Sequence, residues 1–361
     1  MQKIFCFQVI LLFCIAAQGQ MRINAGTTVS ISANTFVVVT GDLISSSNIN
    51  GTGTIAMRGT ALQRLNMNGL TIPRLTINNA ANVQLLGHAR VNSLLTFTAG
   101  KIIAGNYYLM LRSSATTSGA GAGKFVETNG TGELRKQVVG NLTNFLLPVG
   151  NGSNYTPVSV TTSGTYSSAS VNARARGAIH PNKPAGSSSY LNTYWSITRP
   201  GVTGTVTANA TYLASNVVGT ETSLQGTFYS GSFNNSGSSI NTTSNVVTSN
   251  VPTNGDVYAM SAATLKAYVN NREAREESRN QPGLTPNPVV NNAILNISMQ
   301  NEESVVIRIV DETGKLAGVE YANFGKGQNQ HTVKMSHLAK GVYQVQVRSA
   351  STDKTFTVVK Q

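Results

Sequence analysis

The runs Leu75-Thr76-Ile77-Asn78-Asn79-Ala80, Val83-Gln84-Leu85, Leu94-Leu95-Thr96-Phe97, Gly100-Lys101-Ile102-Ile103 and Tyr108-Leu109-Met110-Leu111 decide how this chain is read. Each run is short, rich in Val, Ile and Leu, and bounded by Asn, Gly or Ala, the pattern of strands separated by tight turns. That rhythm suits a parallel β-solenoid, in which every coil buries an inward stripe against its neighbours. It also suits a meandering sandwich, and the expectation over residues 20–113 is a repetitive, solenoid-like β segment with both solutions open. Nowhere does the i, i+3, i+4, i+7 stripe of a packed helix extend through the chain.

Working upstream, Met1-Gln2-Lys3 is a short basic head, residues 4–17 are apolar, and Ala17-Gln18-Gly19 offers the small residues a signal peptidase needs. Residues 1–19 are therefore expected to be a signal peptide. The apolar run is too short to span a bilayer comfortably, and no later stretch reaches the roughly 20 apolar residues of a membrane helix, so no transmembrane segment is expected. Both cysteines, Cys6 and Cys14, fall inside this segment. Phe5 and Phe13 precede them where a lipoprotein signal has a small residue. The mature chain then has no thiol, which excludes disulfides, thiol nucleophiles and thiolate metal sites.

Downstream, a Ser/Thr/Gly/Ala-rich loop at residues 113–123 marks a change of texture. Strand-like runs at residues 144–150, 155–160, 193–197, 206–213, 226–229 and 256–260 predict a β-sandwich cargo domain over residues 124–263. Pro148 and Pro157 are restricted to strand edges or starts. Residues 264–283 concentrate Arg272, Glu273, Arg275, Glu276, Glu277 and Arg279 before Pro282-Gly283, as a charged linker or short exposed helix ending at Pro282.

In the last stretch, residues 284–361, Leu295, Ile297 and Met299, then Val305, Ile307 and Ile309, then Tyr343, Val345 and Val347 alternate with polar residues, each run a strand with one buried face. Pro286-Asn287-Pro288 opens it, Gly314-Lys315 supplies a turn, and Leu338 precedes a second turn at Lys340-Gly341. The chain closes on a strand ending Lys360-Gln361. The ordered set Pro286, Asn287, Pro288, Gly314, Lys315, Leu338, Gly341, Tyr343 and Lys360 resembles the type A C-terminal sorting domain of the type IX secretion system. That resemblance implies a small immunoglobulin-like β-sandwich recognised by the secretion machinery at the outer membrane, with export across both membranes and frequent removal of the domain on release or surface attachment. The fold class expected is all-β: solenoid or repetitive segment, then sandwich, then this C-terminal sandwich. The rest of the chain loosely resembles adhesin-like β-rich surface proteins of Bacteroidetes.

Composition narrows the functional classes. The 361-residue chain carries a formal net charge of +13 with only 11% charged residues, so its basicity is a deficit of acids. Arg58, Arg64, Arg74, Arg90, Lys101 and Arg112 are spread singly, without the clustering or aromatic interleaving of a nucleic-acid groove, and no nucleic acid partner is expected. Such charge reads first as a merely soluble basic surface, and as its alternative allows loose contact with anionic surface polysaccharide or lipopolysaccharide. For catalysis the inventory is poor. Between residues 21 and 265 the carboxylates are Asp42, Glu127, Glu133, Glu221 and Asp256, and the histidines His88 and His180. Glu127 and Glu133 are near in sequence, as a glycosidase pair must be in space, yet read better as surface charges on neighbouring strands. No nucleophile elbow accompanies the histidines. His331 and His337 read as surface and core positions and not as metal ligands. No cofactor or metal is expected. Among the aromatics Tyr107, Tyr108, Tyr155, Tyr190, Tyr194, Trp195, Tyr229 and Phe233, Trp195 is the candidate glycan contact. The chain is thus expected to be a non-enzymatic, adhesin-like or structural surface cargo. A secreted hydrolase or carbohydrate-binding protein with its site in the β-rich cargo is the alternative, because one export address serves all these classes.

Overall fold

The computed structural model describes residues 19–280 and 282–361. The expected signal peptide, save Gly19, lies outside the described residues. The chain is strand almost throughout, interrupted by two short 3-10 turns and the helix Ala262–Asn280, and it divides between Tyr268 and Val269 into two compact units.

In the first unit the opening ladder is a parallel solenoid and not a meander. One sheet stacks Met21–Ile23, Leu43–Ser45, Gln63–Asn66, Val83–Leu85, Ile102–Ile103, Val126–Glu127 and Val149–Asn151, each parallel to the last. A second stacks Phe36–Val39, Thr54–Met57, Thr71–Asn78, Ala89–Ala99, Leu109–Leu111 and Leu134–Val138, again all parallel. Register alignment turns the alternation of each short run into columns. Leu43, Leu65 and Leu85 are cross-strand partners on one wall, and Ile55, Leu75 and Leu95 on the other, all buried. An apolar residue at each inward position therefore meets its own kind one coil away, which is why so short a strand suffices.

Between the walls the chain must turn tightly on top of the preceding coil. Gly100 turns with φ +78°, and a Cβ there would stand 1.8 Å from the backbone oxygen of Asn79. Asn79 is itself buried. Its side-chain amide donates to the carbonyl oxygen of Ala61 at 2.8 Å and to Gln63 Oε1 at 3.0 Å, while its Oδ1 accepts the Ala81 N–H at 2.9 Å. Buried Gln63 passes the chain of bonds on to the carbonyl oxygens of Val39, at 2.9 Å, and Gly41. Polar corners are satisfied from within, as buried amides require.

The Ser/Gly-rich loop at residues 113–123 does not end the solenoid, which runs past the boundary that the change in texture suggests. Thr116–Ser118 lies parallel to Leu94–Thr96, and parallel pairing continues through Val126, Leu134 and Val149. The hand-over comes at Leu134–Val138, whose far side pairs antiparallel with Ala169–Arg176. From there the same sheet continues antiparallel through Tyr194–Thr198 and Gly255–Ser261. A separate five-stranded antiparallel sheet runs Leu142–Leu147, Val158–Tyr166, Val202–Thr211, Val246–Asn250, Ser238–Asn241. At the hand-over strand Lys136 is buried, and its ammonium donates to the carbonyl oxygens of Arg112 (2.9 Å), Ser113 (2.8 Å) and Ala115 (2.7 Å). Burial pushes its pKa down to about 8.

The charged stretch after residue 263 belongs to the helix Ala262–Asn280. In the second unit Gly283–Thr285, Asn292–Met299 and Gly327–Lys334 form one antiparallel sheet. Leu316–Phe324, Glu303–Asp311, Gly341–Arg348 and Asp353–Lys360 form another. Their inward residues, Leu295, Ile297 and Val333 from the first and Val305, Ile307, Val345, Val347 and Val358 from the second, meet in one core.

Gly100→Ala is expected to lower stability by about 1–3 kcal/mol, because the substitution is strained by φ and blocked by backbone. Gly121→Ala, with open space around its Cβ position, should stay within about 0.5 kcal/mol of the parent. Thermal unfolding of the two variants side by side checks this.

Candidate functional site

The cargo's acidic and imidazole groups are all engaged. Glu127 meets Lys101 Nζ at 2.5 Å. Glu133 meets Arg135 Nε at 2.8 Å and Arg174 Nε at 3.8 Å. Asp42 accepts the Arg64 N–H at 2.8 Å, and Glu221 accepts the Tyr212 hydroxyl at 2.7 Å. Asp256 Oδ2 lies 3.1 Å from His180 Nε2. Because the Asn182 N–H donates to His180 Nδ1 at 3.2 Å, the ring proton sits on Nε2 and points at Asp256. No ring nitrogen is left over, and the side chain is fully buried among Tyr194, Tyr229, Phe233 and Tyr258. A general base needs a free nitrogen within reach of a substrate proton, and His180 has none.

Trp195 is not a glycan contact. It is wholly buried, with its indole N–H donating to the carbonyl oxygen of Thr156 at 2.8 Å. Its strand, Tyr194–Thr198, is an interior strand of the large sheet, which turns the alternate residues Trp195 and Ile197 into the core. The other aromatics divide: Tyr194, Tyr229 and Phe233 surround His180, Tyr155 lies against Phe125, and Tyr190 sits beneath Lys183. They do not form one face.

What sequence spacing did not reveal is an arginine-bearing face on the outside of the large sheet. Arg90, Met110, Arg135, Asn172 and Thr198 are successive cross-strand partners. Two residues along, Arg112 projects to the same side as Met110, and Arg174 and Arg176 to the same side as Asn172, because side chains alternate along a strand. The one local signal was the alternation Ala173-Arg174-Ala175-Arg176, which puts two arginines on one face of any strand. A stack runs up this side through three coils. The His88 and Tyr108 rings lie 3.9 Å apart and nearly parallel, and the Arg135 guanidinium sits 4.0 Å from the Tyr108 ring centre. Burial, then Arg135 and Arg90, hold His88 below the usual imidazole range. Its Nδ1 accepts the Tyr108 N–H at 3.1 Å. Arg90 and Arg112 have no carboxylate partner among the described residues, and Arg90 Nε is buried without a hydrogen bond.

In the C-terminal unit, Pro286 and Pro288 both follow cis peptide bonds and hold Asn287 between them. Asn287 clasps the last strand from both sides of its amide: Nδ2 donates to the Thr357 oxygen at 3.0 Å, and Oδ1 accepts the Val359 N–H at 2.9 Å. Val289 continues the clasp, donating to the Val359 oxygen at 2.7 Å and accepting the Gln361 N–H at 2.9 Å. Gly341 is the cross-strand partner of Lys360, so the structure brings Asn287, Gly341 and Lys360 together around one terminal strand. Tyr343 is buried, with its hydroxyl donating to the Ala339 oxygen at 3.0 Å, and Leu338 packs against the same core. Gly314 and Lys315 lie apart from these, in the turn built on Asp311. Its Oδ1 accepts the Thr313 hydroxyl at 2.7 Å and the Lys315 and Thr313 N–H groups at 3.0 and 2.9 Å, and these bonds, the hydroxyl's first, hold its carboxyl below the usual range. His331 pairs with Glu320 at 2.6 Å. No cluster of three or more metal-ligating side chains occurs among the described residues.

Asn287→Ala is expected to destabilise the C-terminal unit by about 1–2 kcal/mol through loss of both bonds, with faster hydrogen exchange at the Val359 amide. Asn287→Asp, which keeps an acceptor for Val359 but removes the donor to Thr357, should fall between.

No match to the chain is found among curated proteins. Among the described residues no helix is long and apolar enough to cross a membrane. Residues 284–361 match the family model described as the secretion system C-terminal sorting domain, so this two-sheet unit with its clasped last strand is a type IX sorting tail that engages the secretion machinery, and the chain is a cargo exported across the outer membrane to the cell surface or the medium.

Proposed function

We propose that the exported part is a non-catalytic, adhesin-like or structural protein of the cell surface, delivered by an N-terminal signal peptide at residues 1–19 and then by its sorting tail. The observation that supports this reading is the fate of the cargo's chemistry. Each of Asp42, Glu127, Glu133, Glu221 and Asp256 is held by a structural partner, and His180 is sealed inside an aromatic box. Side chains suited to acid–base work are spent on holding coils together, whereas the outward faces carry polar and cationic groups suited to weak, repeated contact.

Processing fits the same reading. The helix Ala262–Asn280 separates the cargo sheets from the first strand of the sorting domain, Gly283–Thr285, and we place the cut that releases the tail in this stretch. A chain ending at Gly283 is expected to stop in the periplasm, while the full-length chain reaches the surface or medium. Fractionation of cells expressing each form checks this, and mass spectrometry of the exported material should recover cargo peptides without residues 284–361. Surface delivery of the truncated chain would sink the export reading, and hydrolysis of a glycan or peptide by the purified cargo would sink the non-catalytic one.

A further inference from the structure

The outside of the large sheet holds a cleft of about 250 Å³ between the last solenoid coils and the turn leading into Ala169–Arg176. Arg90 and Arg112 come from successive coils, Gln137 from the hand-over strand, and Ser168 and Ser170 from the turn beyond, with Met110 as its apolar floor. Sheet register sets this convergence: Arg90 is the partner of Met110, Arg112 is two residues along on the same side, and Gln137 is the partner of Ser170. The lining has no carboxylate. Glu133, the nearest acid of this face by register, is occupied by Arg135 and Arg174.

We propose that this cleft binds one oxyanion-bearing sugar unit of an anionic polysaccharide, with Arg90 and Arg112 on the sulfate, phosphate or carboxylate and Gln137, Ser168 and Ser170 on ring hydroxyls. Three observations carry the assignment. Two guanidiniums without carboxylate partners line one small concavity, and Arg90, whose Nη2 lies 3.5 Å from the Tyr108 hydroxyl, keeps further guanidinium donors for an oxyanion; guanidiniums bind such groups through paired, charge-assisted bonds. Neutral donors and acceptors beside a charged anchor and an apolar floor are the mixture that recognises a sugar ring. The cleft is too short for a run of nucleotides, and its lining contains no aromatic ring for base stacking. The inference rests on the reading of the cargo as a surface-contact protein. Binding is measured on purified protein, so its failure is distinguishable from a failure of export.

The test uses the purified exported protein and four probes in parallel: dextran sulfate, polygalacturonate, uncharged dextran and inorganic sulfate. Expected is binding to one or both charged polymers, none to dextran, and competition by sulfate if the sulfate ester is the preferred group. Arg90→Gln with Arg112→Gln should weaken that binding about tenfold or more, as loss of charge-assisted bonds implies. Arg58→Ala with Arg64→Ala removes the same charge from exposed positions earlier in the solenoid and should change it less than twofold. Arg112→Gln alone, at an exposed position, preserves the fold and should give a measurable part of the loss if the double variant does not fold. Equal losses in the two double variants would reduce the effect to net charge and overturn the site. So would undiminished binding by Arg112→Gln, or duplex DNA bound as tightly as the charged polysaccharides.

Discussion

Everything in the cargo depends on how a parallel stack of short strands is brought to an end. A parallel ladder offers a row of unpaired N–H and C=O groups at its last strand, and an open edge of that kind recruits other chains. Here Leu134–Val138 accepts a coil on one side and an antiparallel strand on the other, so the ladder does not stop but changes direction. Lys136 makes that exchange possible. Its three N–H groups meet three carbonyl oxygens of the turn after the preceding coil, tying that turn to the strand at which the coil repeat is broken.

The same device recurs where residues 19–361, which contain no cysteine, must hold irregular backbone. Buried Arg199 donates to the carbonyl oxygens of Val251 (2.7 Å), Pro252 (3.2 Å), Val202 (2.9 Å) and Gly204 (2.6 Å). At the corner of an earlier coil Gln63 and Asn79 play the equivalent neutral part. Cations bonded to backbone carbonyls stand beside ion pairs such as Lys101–Glu127, so part of the basic excess is structural. Buried donors matched to several acceptors are favourable where a lone buried charge is costly.

The sorting tail is built on a different principle. Its core is complete within the unit, drawn from both of its sheets, and its last strand is held by Asn287 and Val289 as well as by its sheet neighbour. A signal whose core is drawn from its own two sheets suits recognition as a folded body after the cargo has left the inner membrane. Its residues carry information about route and none about cargo chemistry.

How much was legible in the sequence follows from how local each feature is. Alternation over three to five residues marked the strands of the ladder, and the order of Pro286-Asn287-Pro288, Gly314-Lys315, Gly341 and Tyr343 marked the tail, since turns and strand periods are written in neighbouring residues. Change of composition at residues 113–123 suggested a boundary, yet pairing crosses it, because a strand's partner is chosen by inward apolar register and not by the polarity of the loop between. Trp195 looked available because sequence does not say which face of a strand is covered; its position inside the large sheet buried it. Arg90 and Arg112 looked dispersed because the coil repeat separates them along the chain. Stacking brings residues one coil apart into adjacent strands, so a spread of single charges becomes one face. The sequence by itself determined that the chain is β-rich, without a cysteine in residues 19–361, and addressed for export. Only the tertiary structure decided which side chains stand together, because hydrogen-bond register between distant coils, not distance in sequence, sets who is next to whom.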